Sequence, residues 1–160
     1  MSQIYAFSDP HFGHNNIAIA RGFSCAEEMD ELIVSSWNNL ITKKDTVYLF
    51  GDITMEKGDY TTLKRLKGII NVILGNHDFP QHVPELLRCV NKVMGCKKHD
   101  EFWFTHFPIH PDELHGKVNI HGHVHEKTIN DKRYFNVCAD VRKAPIALSE
   151  IRRIIREEQI

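Results

Sequence analysis

No apolar run in this 160-residue chain approaches the length needed to cross a bilayer. The opening Met1-Ser2-Gln3-Ile4-Tyr5 lacks the basic segment and apolar stretch of a secretory signal. A membrane protein and a secreted one are therefore not expected. Cysteine is scarce, and Cys25, Cys89, Cys96 and Cys138 form no C-x-x-C pair. That argues against a disulfide framework and for reduced thiols in a cytoplasmic protein. Charge of one sign is missing too. Lysine and arginine number 20 against 21 aspartates and glutamates, a formal net charge of −1, so no global field recruits nucleic acid or anionic lipid. Short basic clusters such as Lys64-Arg65 and Arg152-Arg153 are scattered and read as solvated surface. Repeats, low-complexity tracts and linkers are also absent. With 42% hydrophobic residues, the chain fits one domain over residues 1–160 with a sizeable core.

What the chain has in plenty is histidine, 11 in all, and the positions matter more than the number. Gln3 to Ser8 reads as a strand that stops at Asp9-Pro10-His11, because Pro10 cannot continue a ladder. Ser24 and Glu27 have the spacing of a capping box. The helix they open carries Met29, Leu32, Ile33, Trp37 and Leu40 on one apolar face. Thr46 to Phe50 is a second strand, ending at Gly51-Asp52. After a short helix over Tyr60 to Leu66 comes a third, Ile69 to Leu74, ending at Gly75-Asn76-His77-Asp78. Strands alternating with helices at these spacings predict βαβ units and a parallel sheet.

Pro84 to Leu87 reads as the start of another helix and Lys92 to Cys96 as a short strand. Glu101 to Thr105 ends at His106, and Lys117 to Ile120 ends at His121-Gly122-His123-Val124-His125. Tyr134 to Val137 and Pro145 to Leu148 are two more strands whose closeness suggests antiparallel pairing. A closing helix follows with Ile151, Ile154 and Ile155 on its apolar side. Trp37 and Trp103 read as core; His82, His99, His110 and His115 read as surface or loop.

Five predicted strands thus end in metal-ligating types: Asp9 and His11, Asp52, Asn76, His106, then His123 and His125. A parallel sheet gathers such ends on one edge, where α/β sites form, and an antiparallel part can deliver the last pair from a second, facing sheet. The one-residue spacings in Asp9-Pro10-His11 and His123-Val124-His125 suit extended backbone, in which i and i+2 point the same way. Two carboxylates, four imidazoles and one amide oxygen are too many for one tetrahedral ion and fit two ions that share a carboxylate. Asp52, alone after Gly51, is the natural bridge. Nitrogen and oxygen donors without thiolate suit manganese, iron, zinc, cobalt or nickel better than calcium or magnesium. Two such cations could bind a phosphate and stabilise a hydroxide.

The ordered set D-x-H, G-D, G-N-H-D, a lone His and G-H-x-H, over residues 9 to 125, resembles the calcineurin-like metallophosphoesterases. The resemblance implies a four-layer α/β/β/α sandwich with mixed sheets. It implies one metal on Asp9, His11, Asp52 and His125, and a second on Asp52, Asn76, His106 and His123. Two divalent ions are implied, manganese first. His77 takes the part of the catalytic histidine that is not a ligand, with Asp78 holding its orientation and protonation. Protein phosphatases of the family carry G-D-x-x-D-R-G, but here Asp52 is followed by Ile53-Thr54-Met55-Glu56, so the second Asp and the Arg are missing. Ser8-Asp9-Pro10-His11-Phe12-Gly13-His14-Asn15 is more similar to compact bacterial and phage members.

His14 and Asn15 are candidate phosphate contacts; Arg142, after a strand, could pair a phosphate oxygen, although an exposed ion pair is the favoured reading for it and for Arg21, and His121 reads as support for the G-H-x-H loop. The expected activity is hydrolysis of phosphate esters, diesters before monoesters, by in-line attack of a metal-bound hydroxide. The substrate would be a small molecule or nucleotide, since a polymer would need a basic or aromatic track. The competing reading is a non-catalytic binding protein that keeps the fold as a scaffold; it would be expected to have lost ligands, and none of the seven is missing.

Overall fold

The computed structural model describes residues 2–55 and 58–157. Glu56, one of the residues that depart from the protein-phosphatase signature, lies outside them. Four parallel strands, β1 (Ile4–Phe7), β2 (Thr46–Leu49), β3 (Ile69–Ile73) and β4 (Lys92–Met94), lie in the order β4-β3-β2-β1. The second sheet has the order β5 (Cys96–His99), β6 (Phe102–Thr105), β7 (Val118–His121), β8 (Tyr134–Asn136). Within it β5 is antiparallel to β6, and β6, β7 and β8 are parallel. A last short strand, β9 (Ile146–Ala147), returns to the first sheet and pairs antiparallel with β1.

The period-two alternation of the strands assigns the two faces of the first sheet. Phe7, Val47, Leu49, Ile70 and Val72 point outward into one cluster. Met29, Ile33, Val34 and Trp37 of α2 (Ala26–Leu40) meet them there. Ala6, Tyr48, Phe50 and Ile73 point the other way and join Phe102, Phe104, Ile120 and Phe135 of the second sheet. Leu148, Ile151 and Ile155 of the closing helix, Leu148–Glu157, complete that inner core. Arg152 ties this helix to the β5–β6 turn through Glu101 and Asp100.

The sandwich and its two mixed sheets are as expected. Among the described residues the outer face of the second sheet is covered by a 3-10 turn, Pro111–Leu114, and its flanks. Trp103 Nε1 donates to the Glu113 carbonyl and Tyr134 OH to that of Ile109. Trp103 is therefore half-buried on this outer face, not core. No described helix is long and apolar enough to cross a membrane.

Several local expectations need correction. Tyr134–Asn136 and Ile146–Ala147 do not pair with each other: the first extends the second sheet in parallel, and the second joins β1. Closeness in sequence is overridden because residues 138–145 cross between the sheets. The run Lys92–Cys96 is two strands, since Gly95 lets the chain leave β4 and start β5 in the other sheet. The helix read from Ser24 begins at Ala26 with Cys25 at its cap, and Glu28 accepts from the Ser24 amide. Its buried stripe includes Ala26 and Val34, whereas Leu32 and Leu40, on its flanks, are exposed. Tyr60–Leu66 is a 3-10 helix over Thr61–Arg65, and the helix read at Pro84–Leu87 is one turn, α3, Val83–Leu86. The six-residue helix α1, Asn15–Ala20, was not expected at all.

Candidate metal centre

The sheets touch where their parallel strands end. Ser8, one residue past β1, forms a parallel bridge with Cys138, two residues past β8. Ser8 N–H donates to the Val137 carbonyl and Ala139 N–H to that of Ser8. The loops after β1, β2, β3, β6 and β7 are thereby brought to one edge.

Two groups of potential ligands form there. Asp9, His11 and His125 make one, Asp52, His106 and His123 the other, each with its ligand atoms within 4.8 Å of one another. In the first, His11 Nε2 stands 3.8 Å from Asp9 Oδ1, and the His11 and His125 rings stack with centroids 5.4 Å apart. In the second, Asn76 Oδ1 lies 3.0 Å from both His106 Nε2 and His123 Nδ1. Asp52 Oδ2 is 3.4 Å from His106 Nε2. Donors about 2 Å from one cation stand at such mutual separations.

All seven sequence-predicted ligands are thus gathered, but not by the expected backbone. Asp9, His11, Asp52, His123 and His125 all have positive φ, between 49° and 69°. Extended geometry at Asp9-Pro10-His11 and His123-Val124-His125 is corrected accordingly, and His123 and His125 part to different groups. A left-handed non-glycine residue costs about 1–2 kcal/mol, so strain is concentrated on the ligands, as functional loops do. The close approach is set by glycine. A Cβ on Gly75 would collide with Asp52 Oδ1 and lie 2.7 Å from the Asp52 amide, and one on Gly122 would strike Ser8 Oγ and Asp9 Oδ2.

The donors fit cations. Asp9 Oδ1 and both ring nitrogens of His11 are buried with no hydrogen-bond partner among the described residues. Each such orphan costs about 1–3 kcal/mol unless something satisfies it, and a carboxylate oxygen facing an imidazole nitrogen is satisfied by an ion between them. Hydrogen bonds also select the ligating tautomer. His106 Nδ1–H donates to the Phe50 carbonyl at 2.6 Å, leaving the Nε2 lone pair toward Asn76 and Asp52. His125 Nδ1–H donates to Asp140 Oδ2 at 3.0 Å, leaving its Nε2 for the first group.

Ionisation follows these surroundings. Burial pushes the His11 imidazole down to about 4, against the pull of Asp9 and Asp52, so it is neutral and ready to ligate. Burial also opposes charge on His106, but the bond to Asp52, the carboxylates of Asp9 and Asp52 and the Phe50 carbonyl outweigh it, and its pKa rises. Burial works against ionising Asp52, yet the His106 bond and charge, with the His77 amide, hold its carboxyl below the usual range. The Asp140 bond raises His125.

Three contributors carried no motif of their own. Asp140 accepts from His125 and, at 2.7 and 3.0 Å, from the Arg21 guanidinium. Arg21 also donates to the carbonyls of Asp9 and Pro10. One half-buried ion pair therefore clamps both loops that supply the first group, which makes Arg21 a brace and not a free phosphate anchor. Cys138 Sγ donates to Asp9 Oδ2 at 3.2 Å, and burial first, then Asp9, keeps the thiol protonated. Ser8 Oγ lies 2.5 Å from the same oxygen. The sign available in the sequence was the strand-exit rule itself: Asp140 follows the end of β8 just as the ligands follow other strands.

The remaining candidates are placed as follows. Asp78 accepts from the amides of Asp52, Gly75 and Ile53 and so locks the loops after β2 and β3 together. The His77 amide donates to Asp52 Oδ1, and its ring centroid is 5.9 Å from that of His11. His14 caps α1 by accepting the Ile17 amide. Asn15 Oδ1 accepts the Ala26 amide at the start of α2. The Arg142 guanidinium lies over the Phe135 ring at 4.6 Å and donates to the Asn136 carbonyl, at the exit of β8. His121 is buried with Nδ1 2.9 Å from the Gly122 carbonyl, inside the loop it was expected to support.

Residues 2–157 match the family model described as calcineurin-like phosphoesterase. A Methanocaldococcus jannaschii protein described as uncharacterized is 31% identical, covering all of this chain and 95% of its own length. The gene 66 protein of Mycobacterium phage L5 is 28% identical over 81% of this chain and 80% of its own. A crystal structure of an Aquifex aeolicus protein of unknown function superposes with a TM-score of 0.76 at 21% identity, covering 96% of this chain and all of the other; that likeness concerns the fold alone.

Proposed function

Because the chain belongs to the calcineurin-like phosphoesterase family, we propose that it hydrolyses phosphate esters with two divalent transition-metal ions, and diesters in preference to monoesters. The observation that carries this is the pair of ligand groups at one sheet edge, with the orphaned donors of Asp9 and His11 between their loops. Asp9, His11 and His125 would hold one ion and Asn76, His106 and His123 the other, with Asp52 shared. Its carboxylate belongs to the second group, and its charge is felt at His11 in the first. The mixed nitrogen and oxygen donors suit manganese, iron, zinc, nickel and cobalt alike, and manganese is the metal tried first; the nearby Cys138 thiol is kept protonated by burial and Asp9. When bound, such ions supply Lewis acidity toward phosphoryl oxygens and acidify water.

The chain's own groups do the rest. His77, held through its amide by Asp52, sits beside His11. There it would bond a phosphoryl oxygen or hand a proton to the leaving oxygen. Arg21 spends its guanidinium on Asp140 and two carbonyls. It is therefore not offered to the second negative charge of a monoester, which supports a diester. The four free thiols support a reducing, cytoplasmic setting and the substrate is a small ester or nucleotide. A panel of monoesters and diesters, run with manganese, iron, zinc, nickel and cobalt in turn, tests this. Metal-dependent turnover, faster on diesters and abolished in folded Asp52→Ala and Asn76→Ala, is expected. No turnover with any metal would leave only a scaffold.

A further inference from the structure

The seven ligands and His77 account for the phosphate end of a substrate and leave its organic end without a seat. Between α1 and residues 123–127 lies a cavity of about 510 Å³ with His123 and His125 in its wall. A second cavity, about 650 Å³, lies toward α2 and ends against Met29, Leu32 and Ile33. The two share Ala20, Arg21, Glu126 and Asp140, so they form one cleft running from the ligand histidines to an apolar end. That size suits a small organic ligand.

The character of the inner part narrows its occupant. Phe23 adds an aromatic ring to the aliphatic wall. Leu32, 46% exposed on a helix whose other apolar residues are mostly buried, faces this space. The charges cancel: Arg21 is paired with Asp140 at 2.7 Å, and the two other ionisable wall residues, Glu126 and Lys143, are of opposite sign. A phosphate finds no surplus cation there, whereas a neutral flat group finds apolar walls with a donor and an acceptor at the rim. We propose that this cleft seats the organic group of the ester, and that this group is aromatic or heteroaromatic, of aryl or nucleobase size. The inference rests on the phosphoesterase reading for what sits at the metals.

The test is calorimetric titration of the manganese-loaded protein with methyl-, benzyl- and 2-phenylethylphosphonate. Their P–C bonds resist hydrolysis, and the series spans different reaches into the cleft. At least one phenyl-bearing ligand is expected to bind about tenfold more tightly than methylphosphonate. Leu32→Glu should cut that preference to about threefold or less. Leu40→Glu, which adds the same charge at an exposed site on the same helix away from the cleft, should preserve it. Equal affinities in the wild type, or a preference untouched by Leu32→Glu, would overturn the assignment. Ester turnover, measured in parallel, separates the two readings: preference without turnover sinks the phosphoesterase, and turnover without preference sinks the cleft.

Discussion

Single side chains decide how ready this site is for a cation. Asp140 touches no candidate ligand atom of the first group directly, but it fixes which nitrogen of His125 is free, and through Arg21 it anchors the Asp9 loop. Outer partners of this kind are commonly worth 10–100-fold in metal affinity. Asp140→Asn should therefore weaken the first ion by about 10–100-fold while leaving the second within a few-fold, as read by competition with a metal-sensitive dye. Equal loss at both sites would mean that the variant had merely loosened the fold. His11 gives a pH signature in metal-free protein. Its folded pKa of about 4 lies below the unfolded value of 6.5. Between those values the unfolded chain takes up a proton that the folded one refuses, so this share of stability is present above pH 6.5 and lost as pH falls toward 4. The loss is about 3 kcal/mol. Denaturant unfolding at pH 6.5 and 4.5 in chelator should show most of it in wild type, and His11→Asn should lack it; parallel pH slopes would refute the account. The gathering of Asp9, His11 and the other candidate ligands was legible because each repeats one event, a metal-ligating residue type at a strand exit. Asp140 showed only its place after a strand and Cys138 not even that role, because a single polar residue on a turn shows no partner until the crossover between sheets brings Asp9, Arg21 and His125 to it.

At the scale of elements, the site is a set of loops held at backbone distance. The loops after β2 and β3 lie so close that the Asp78 carboxylate spans both, accepting three amides. No side chain fits at Gly75, where Asp52 is the neighbour. Gly75→Ala should displace Asp52, costing about 1–3 kcal/mol of stability from overpacking, and should remove the second ion before the first. Metal content per chain, set beside a thermal melt, checks this; two tightly bound ions in the alanine variant would contradict it. The strands themselves were readable from apolar runs. Their pairing was not, since β8 and β9 are neighbours in sequence yet part between two sheets. The loop conformation was also hidden: D-x-H and H-x-H spacings suit extended backbone, but φ values near +50° to +70° deliver the same side chains by a tighter route. Helix α1 went unseen because its cap is a histidine and only Ala18 of its six residues is buried.

The whole molecule is two sheets whose carboxyl edges are joined at Ser8 and Cys138, so that five loops separated along the chain converge. The core on either side of the first sheet holds that edge, and the convergence is what the order of the sequence motifs had suggested. Its meaning is tested by locating ions directly. Crystals grown with manganese should show two anomalous peaks per chain: one bounded by Asp9, His11 and His125, the other by Asn76, His106 and His123, with Asp52 reaching both. Peaks elsewhere on the surface, or none at this edge at saturating manganese, would contradict the account.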